Sequence, residues 1–181
     1  MSARVLRGGR WGHFSACCRS AFRFNFYVEK SRHDLGFRVS VSVDAVRQAL
    51  KVTGPAMPKP VATEQSAPTN AKTGWHGWPA DAPKPAIAPF NADEARQHQE
   101  AWAKYLNVPV EYTNSIGMKF RLIPPGEFTM GMTKEKAEAV AALYPNDENW
   151  KMWSLSSAPA HKVRLTQAYY LGTQGGPGWL L

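Results

Sequence analysis

The sequence predicts an α+β chain, and three observations carry that prediction. Residues 35–43, "LGFRVSVSV", alternate apolar and polar with a period of two, the mark of a half-buried strand. Residues 91–109, "NADEARQHQEAWAKYLNVP", show helical spacing behind a capping signal. The chain is 181 residues long and 44% apolar, enough for a core of mixed elements.

Each element follows from local chemistry. Residues 4–11, "RVLRGGRW", read as a short strand running into a glycine turn. In 17–28, Phe22, Phe24, Phe26 and Val28 alternate, which suggests an extended segment. In 35–43, Phe37, Val39, Val41 and Val43 face one way and Arg38, Ser40 and Ser42 the other. A short helix, "DAVRQAL", follows, with Asp44 as its expected cap. Eight of the fourteen prolines then fall between residues 52 and 90, so residues 51–90 read as a stiff linker. Trp75 and Trp78 are unusual there and are expected to dock on a neighbouring surface.

The later elements are equally local. Asn91 and Glu94 form an expected capping box for helix 92–106, with Ala95, Trp102, Tyr105 and Leu106 near one face. Residues 110–131 read as strand, glycine turn and strand; Met118, Phe120 and Leu122 alternate. "PPG" is then expected to turn the chain, with Gly126 supplying backbone freedom and Glu127 to Gly131 returning as the second arm of a hairpin. Thr133 is a helix cap for 133–145, and 161–172 reads as one strand with Val163 and Leu165 inward. No pattern marks "TQGGPGWLL" at 173–181.

Charge is unevenly placed. Residues 1–60 hold eleven basic and three acidic residues, a net of +8, whereas 61–181 hold eleven of each sign. Such a block can bind nucleic acid or an acidic surface, although no nucleic-acid motif accompanies it. No run of eighteen apolar residues and no apolar signal core occur, so no membrane association is expected and a cytoplasmic location is. The two cysteines, Cys17 and Cys18, are adjacent, which excludes a disulfide framework. No phosphate-binding loop and no carboxylate pair can be assigned; Glu127 is expected to face solvent.

Two groups of residues resemble the formylglycine-generating enzyme, or sulfatase-modifying factor, domain family. "NSIGMKFRLIPPGEFTMG" (114–131) followed by "HKVRLTQAYYLG" (161–172) is similar to the amino-terminal part of that domain. Arg7-Gly8-Gly9 with Trp11, then Cys18-Arg19-Ser20-Ala21, then Gly36-Phe37-Arg38-Val39, resemble its carboxyl-terminal end. The resemblance implies three parts: a carboxyl-terminal domain fragment at 1–50, a Pro-rich linker at 51–90, and a lead-in helix with an amino-terminal fragment of a second domain at 91–181. It implies an incomplete C-type-lectin-like fold and an origin in a large bacterial multidomain protein. A truncated reading frame or a permuted product would explain the reversed order, and a frame change near Thr173 is expected.

The resemblance also implies chemistry. Formylglycine-generating members hold copper with two cysteines and oxidise a substrate cysteine. Here Cys18 aligns with the second of these positions and His13 with the first, while Cys17 is extra. Neighbouring residues of an extended segment point to opposite faces, so the two-thiolate site suited to Cu(I) is incomplete. Cys18 then reads as a small buried apolar residue, and no confident catalytic residue or cofactor is assigned. Three functions stay open: a non-catalytic binding or vestigial module, a copper-dependent oxidase using Cys18 with His13, and a basic nucleic-acid binder through residues 1–60. The expected partner is a protein or the missing remainder of the same domain. Iron-dependent relatives place a histidine triad largely outside these regions; His33, His76, His98 and His161 do not form one in sequence.

One further expectation is geometric. Strand 36–43 can pair with hairpin 118–131 or strand 161–171, because loop closure over some forty residues adds little entropy cost. The expected core is Phe22, Phe37, Val39, Val41, Phe120, Leu122, Phe128, Val163, Leu165 and Tyr170.

Overall fold

A computed structural model describes residues 3–7, 23–27, 36–58, 74–174 and 176–177. It is mixed α and β, and the chain divides into two compact units. One unit comprises Arg38–Phe128 and Arg164–Gly175; the other comprises Met1–Phe37, Thr129–Val163 and Gly176–Leu181.

The first of these contains a four-stranded antiparallel sheet built from distant parts of the chain. Its strands are β4 (Ser40–Ser42), β6 (Glu111–Thr113), β7 (Lys119–Ile123) and β10 (Tyr169–Gly172), in the order β4-β10-β7-β6. Tyr170 lies opposite Val41 on one side and Leu122 on the other. The expected pairing of the early valine strand with a late strand is therefore present. Between β6 and β7 the Asn114 side chain accepts from the backbone N–H groups of Ile116 and Met118, at 3.2 and 2.8 Å, and Gly117 takes φ +82°. That left-handed position suits glycine.

Two helices cover this sheet's core. Helix α1 (Val43–Leu50) begins where β4 ends, because the Ser42 hydroxyl accepts from Ala45 N–H at 3.2 Å. Ser42, not Asp44, is thus the cap. Asp44 sits in the first turn and pairs with Arg47 at 3.3 Å. Val43, expected on the strand, is buried as the first helical residue. Helix α2 (Ala92–Leu106) has the expected capping box between Asn91 and Glu94. The buried cluster joins Val43, Val46, Trp78, Trp102, Leu106, Val108, Phe120, Leu122 and Tyr170, with Val39 and Val41 packed against it.

Residues 74–90 pack on this core despite their prolines. The Trp78 indole is buried, donates to Thr166 O at 2.9 Å and meets the Trp102 ring edge-on at 4.7 Å. The Trp102 indole donates to Lys84 O at 3.0 Å. The docking expected of this tryptophan pair is realised, with Trp75 packed beside the same cluster. Strand β5 (Ala86–Ile87) runs parallel to the start of β8 (Gly126–Met130), and β9 (His161–Leu165) follows in the order β5-β8-β9.

Two expectations fail here for clear reasons. Pro124-Pro125-Gly126 does not close a hairpin, because β8 leaves the sheet of β7 and joins β5. Gly126 is needed for close approach, since a Cβ there would lie 2.0 Å from Ala86 O. Segment 161–172 is two strands, β9 and β10, separated at 166–168 where Ala168 is buried and Thr166 accepts from Trp78.

In the other unit, β1 (Ala3–Arg7) and β2 (Arg23–Tyr27) form an antiparallel pair with Val5 opposite Asn25. β3 (Gly36–Phe37) pairs with β11 (Gly176–Pro177), a short element in the tail that showed no pattern. Helix α3 (Lys134–Ala141) is capped by Thr133, as expected. Helix α4 (Glu148–Leu155), not foreseen, is capped by Asp147 and anchors the buried Trp150, whose indole donates to Val140 O at 2.8 Å. Of the expected core, Phe120, Leu122 and Tyr170 are fully buried, and Val39, Val41, Phe128, Val163 and Leu165 are half-buried. Phe22 and the side chain of Phe37 lie outside the described residues.

Candidate functional site

The residues singled out for metal chemistry, Cys18 and His13, lie outside the described residues, as do Cys17 and His33. The chemistry of the donor set is one thiolate and one imidazole where a soft copper site wants two thiolates. Among the described residues no group of three or more His, Cys, Asp or Glu side chains could hold a metal ion.

The remaining histidines are spread out. His98 lies on α2 against the Phe90 ring, 5.8 Å away. His161 opens β9 on the surface, with Nδ1 3.2 Å from Pro159 O. It borders a cavity of about 40 Å³ lined also by Met130, Gly131, Ser157 and Pro159. That volume suits a water or two and no organic substrate. The backbone there is tight: a Cβ on Gly131, at φ +98°, would lie 2.8 Å from Pro159 O.

Among the described residues, Glu127, Arg164 and His76 form a three-membered charged constellation. Glu127 is only 16% exposed and accepts from Arg164 Nε at 2.9 Å. The His76 Nε2 lies 3.9 Å from the same carboxylate oxygen. The expectation that Glu127 faces solvent is corrected: the β5-β8-β9 sheet half-buries it against its cationic neighbour. Neighbouring outward positions on two strands, one acidic and one basic, were the available signal. His76 was missed because it stands in a proline-rich stretch; it is held at φ +46° beside Trp75, ring centroids 4.6 Å apart.

The second carboxylate near β7, Glu111, pairs with Arg121 across the β6–β7 ladder. Its hydrogen bond to that guanidinium, and then the positive charge itself, hold its carboxyl below the ordinary range. Glu111 and Glu127 each serve a separate arginine on a separate sheet. The arrangement provides ion pairs, not two cooperating carboxylates for acid–base work.

A larger open groove of about 370 Å³ runs along Leu50, Val52, Ala103, Lys104, Asn107 and Pro109. Asn107, in the left-handed conformation at the end of α2, uses its amide to donate to Thr53 O at 2.7 Å. Above it, Arg47 is buried and donates from Nε and Nη2 to Leu106 O at 3.0 and 2.7 Å, and from Nη1 to Pro55 O at 2.9 Å. Its charge satisfies the carbonyl end of α2, where a cation is favourable. The Tyr170 hydroxyl donates to Pro109 O. Burial pushes that phenol up to about 12, opposed only in part by Arg47. These groups bind one part of the chain to another and present no reactive atom to a ligand.

No helix among the described residues is long and apolar enough to cross a membrane. No protein-family model, curated protein or solved structure matches the chain.

Proposed function

We propose that the chain is a non-catalytic, sulfatase-modifying-factor-like module that serves as a binding unit. The observation that carries this reading is the β4–β10 ladder, in which Tyr170 faces Val41 and Leu171 faces Ser40. These strands belong to, or directly follow, the two motif groups that resemble opposite ends of that domain, ends that the resemblance expects side by side. The donor set supports a module without oxygen chemistry: Cys18 with His13 stands where the resemblance implies a pair of thiolates. Glu111 and Glu127 are each committed to an arginine, which supports a structural part for both.

The test is direct. The full chain is incubated with copper, oxygen and a peptide carrying the cysteine motif of a sulfatase, and the peptide is read by mass spectrometry. Unmodified cysteine is the expected result. Formylglycine formation that disappears in Cys18→Ser would overturn the proposal in favour of a copper-dependent oxidase.

A further inference from the structure

The four-stranded sheet ends on one side at β6, with no strand beyond it among the described residues. Its ladder with β7 fixes which backbone groups β6 turns outward. Leu122 N–H donates to Val110 O at 2.9 Å, and Asn114 N–H donates to Met118 O at 3.0 Å. Tyr112 lies opposite Phe120 between them. Val110, Tyr112 and Asn114 therefore bond inward, and the N–H and C=O groups of Glu111 and Thr113 point away from β7. Two donor–acceptor pairs at this alternate spacing match the backbone of one added strand. Beside that edge, Val110 and Tyr112 are half-buried against the core cluster, and Glu111 and Thr113 are exposed. The other outer strands of the two larger sheets are guarded. β5 lies between Pro85 and Pro89, β9 carries Lys162 and Arg164, and β4 turns into α1 directly after Ser42. Prolines, basic residues and short strands oppose strand addition, and β6 contains neither proline nor lysine.

We propose that β6 is a docking edge for an extended segment of a partner protein, which adds antiparallel to it with a basic residue opposite Glu111 and apolar residues opposite Val110 and Tyr112. The backbone of Glu111 and Thr113 supplies the affinity, and the side chains of β6 supply the selection. Arg121 engages Oε1 of Glu111, which leaves Oε2 for a cation across the new ladder. Opposite charges facing each other across a ladder stabilise it, and like charges oppose it. Apolar residues on either side of that cation face the core side of the sheet, where they extend the cluster past Val110 and Tyr112. Thr113 is matched by a threonine, a favourable cross-strand partner. The inference names a partner class for the binding unit proposed above, yet it stands if that unit proves catalytic, so the copper assay and the binding assay can fail separately.

The experiment titrates the full ¹⁵N-labelled chain with millimolar acetyl-Thr-Thr-Val-Lys-Val-Thr-amide and follows the backbone amides by NMR. The amides of Glu111 and Thr113 should shift and exchange more slowly with solvent. The same peptide with glutamate in place of its lysine should bind about fivefold more weakly. The net charge of +8 would favour that glutamate peptide, so a preference for lysine reports the local pair at Glu111. N-methylation of the lysine and of the second threonine removes the amides that face Glu111 and Thr113 and should abolish binding. Thr113→Pro removes one outward N–H at an edge position that tolerates proline, and should abolish binding as well; the N-methylated peptide carries the test whether or not that variant keeps its sheet. Unmoved amides at Glu111 and Thr113, equal binding of the glutamate peptide, or retained binding of the N-methylated peptide would each overturn the proposal.

Discussion

At the scale of single residues, two buried polar groups hold distant parts of the chain together. Arg47 satisfies Leu106 O and Pro55 O from inside the core. Replacing it with methionine preserves length and apolar volume but strands both carbonyls, so Arg47→Met should lower unfolding stability by about 3 kcal/mol. Urea denaturation checks this, with the exposed Gln48→Ala as a control expected to stay within about 0.5 kcal/mol of the parent. Tyr170 gives a pH signature. Its phenol is pushed from 10.0 up to about 12 by burial, so the folded state retains a proton that the unfolded chain releases. The unfolded state therefore binds fewer protons between those values, and stability falls as pH rises from about 10 to about 12. Tyr170→Phe should remove the part of that fall owed to this group, on the order of 2 to 3 kcal/mol. Tyr169 and Tyr105 are also raised by burial, so some alkaline loss should persist in the variant. Denaturant midpoints at pH 9 and 11.5 measure the difference.

At the scale of elements, stability rests on ends and close approaches. Asn91→Ala removes an acceptor for Asp93 and Glu94 N–H and should cost about 1 kcal/mol, read as a lower thermal midpoint. Gly126→Ala places a methyl 2.0 Å from Ala86 O and should cost about 2 kcal/mol or more by forcing β5 from β8. Amide exchange of peptides covering 86–88 should then accelerate, since Ala88 N–H is held by Glu127 O in the parent. The elements most legible in sequence were those with both periodicity and a cap, above all α2 with Asn91 and Glu94. Where two signals competed, periodicity misled. Val43 continued the alternation of Val39 and Val41, but the hydroxyl of Ser42 had already begun a helix. Helix α4 was hidden because Met152 and Leu155 remain exposed, leaving Trp150 and Ser154 as its buried face. "PPG" reads locally as a turn, and nothing local reveals that β8 leaves β7 for β5.

At the scale of the whole molecule, the order of strands in space differs from their order in sequence. β4 and β10 are separated by more than a hundred residues yet are neighbours in one sheet. The alternation of each strand and the low entropic cost of long closure made that pairing foreseeable. The candidate site was less legible. Burial of Glu127 and its meeting with Arg164 and His76 depend on three segments converging, which no local window contains. Cys18 and His13, which the resemblance sets at the copper positions, lie outside the described residues.

Hydrogen–deuterium exchange of peptides spanning 39–43 and 169–172 tests the shared sheet most directly. The two peptides should be protected together and lose protection at one denaturant concentration. Rapid exchange at 39–43 while 169–172 stays protected would mean that the early strand does not belong to that sheet, and the account of a joined module would fall.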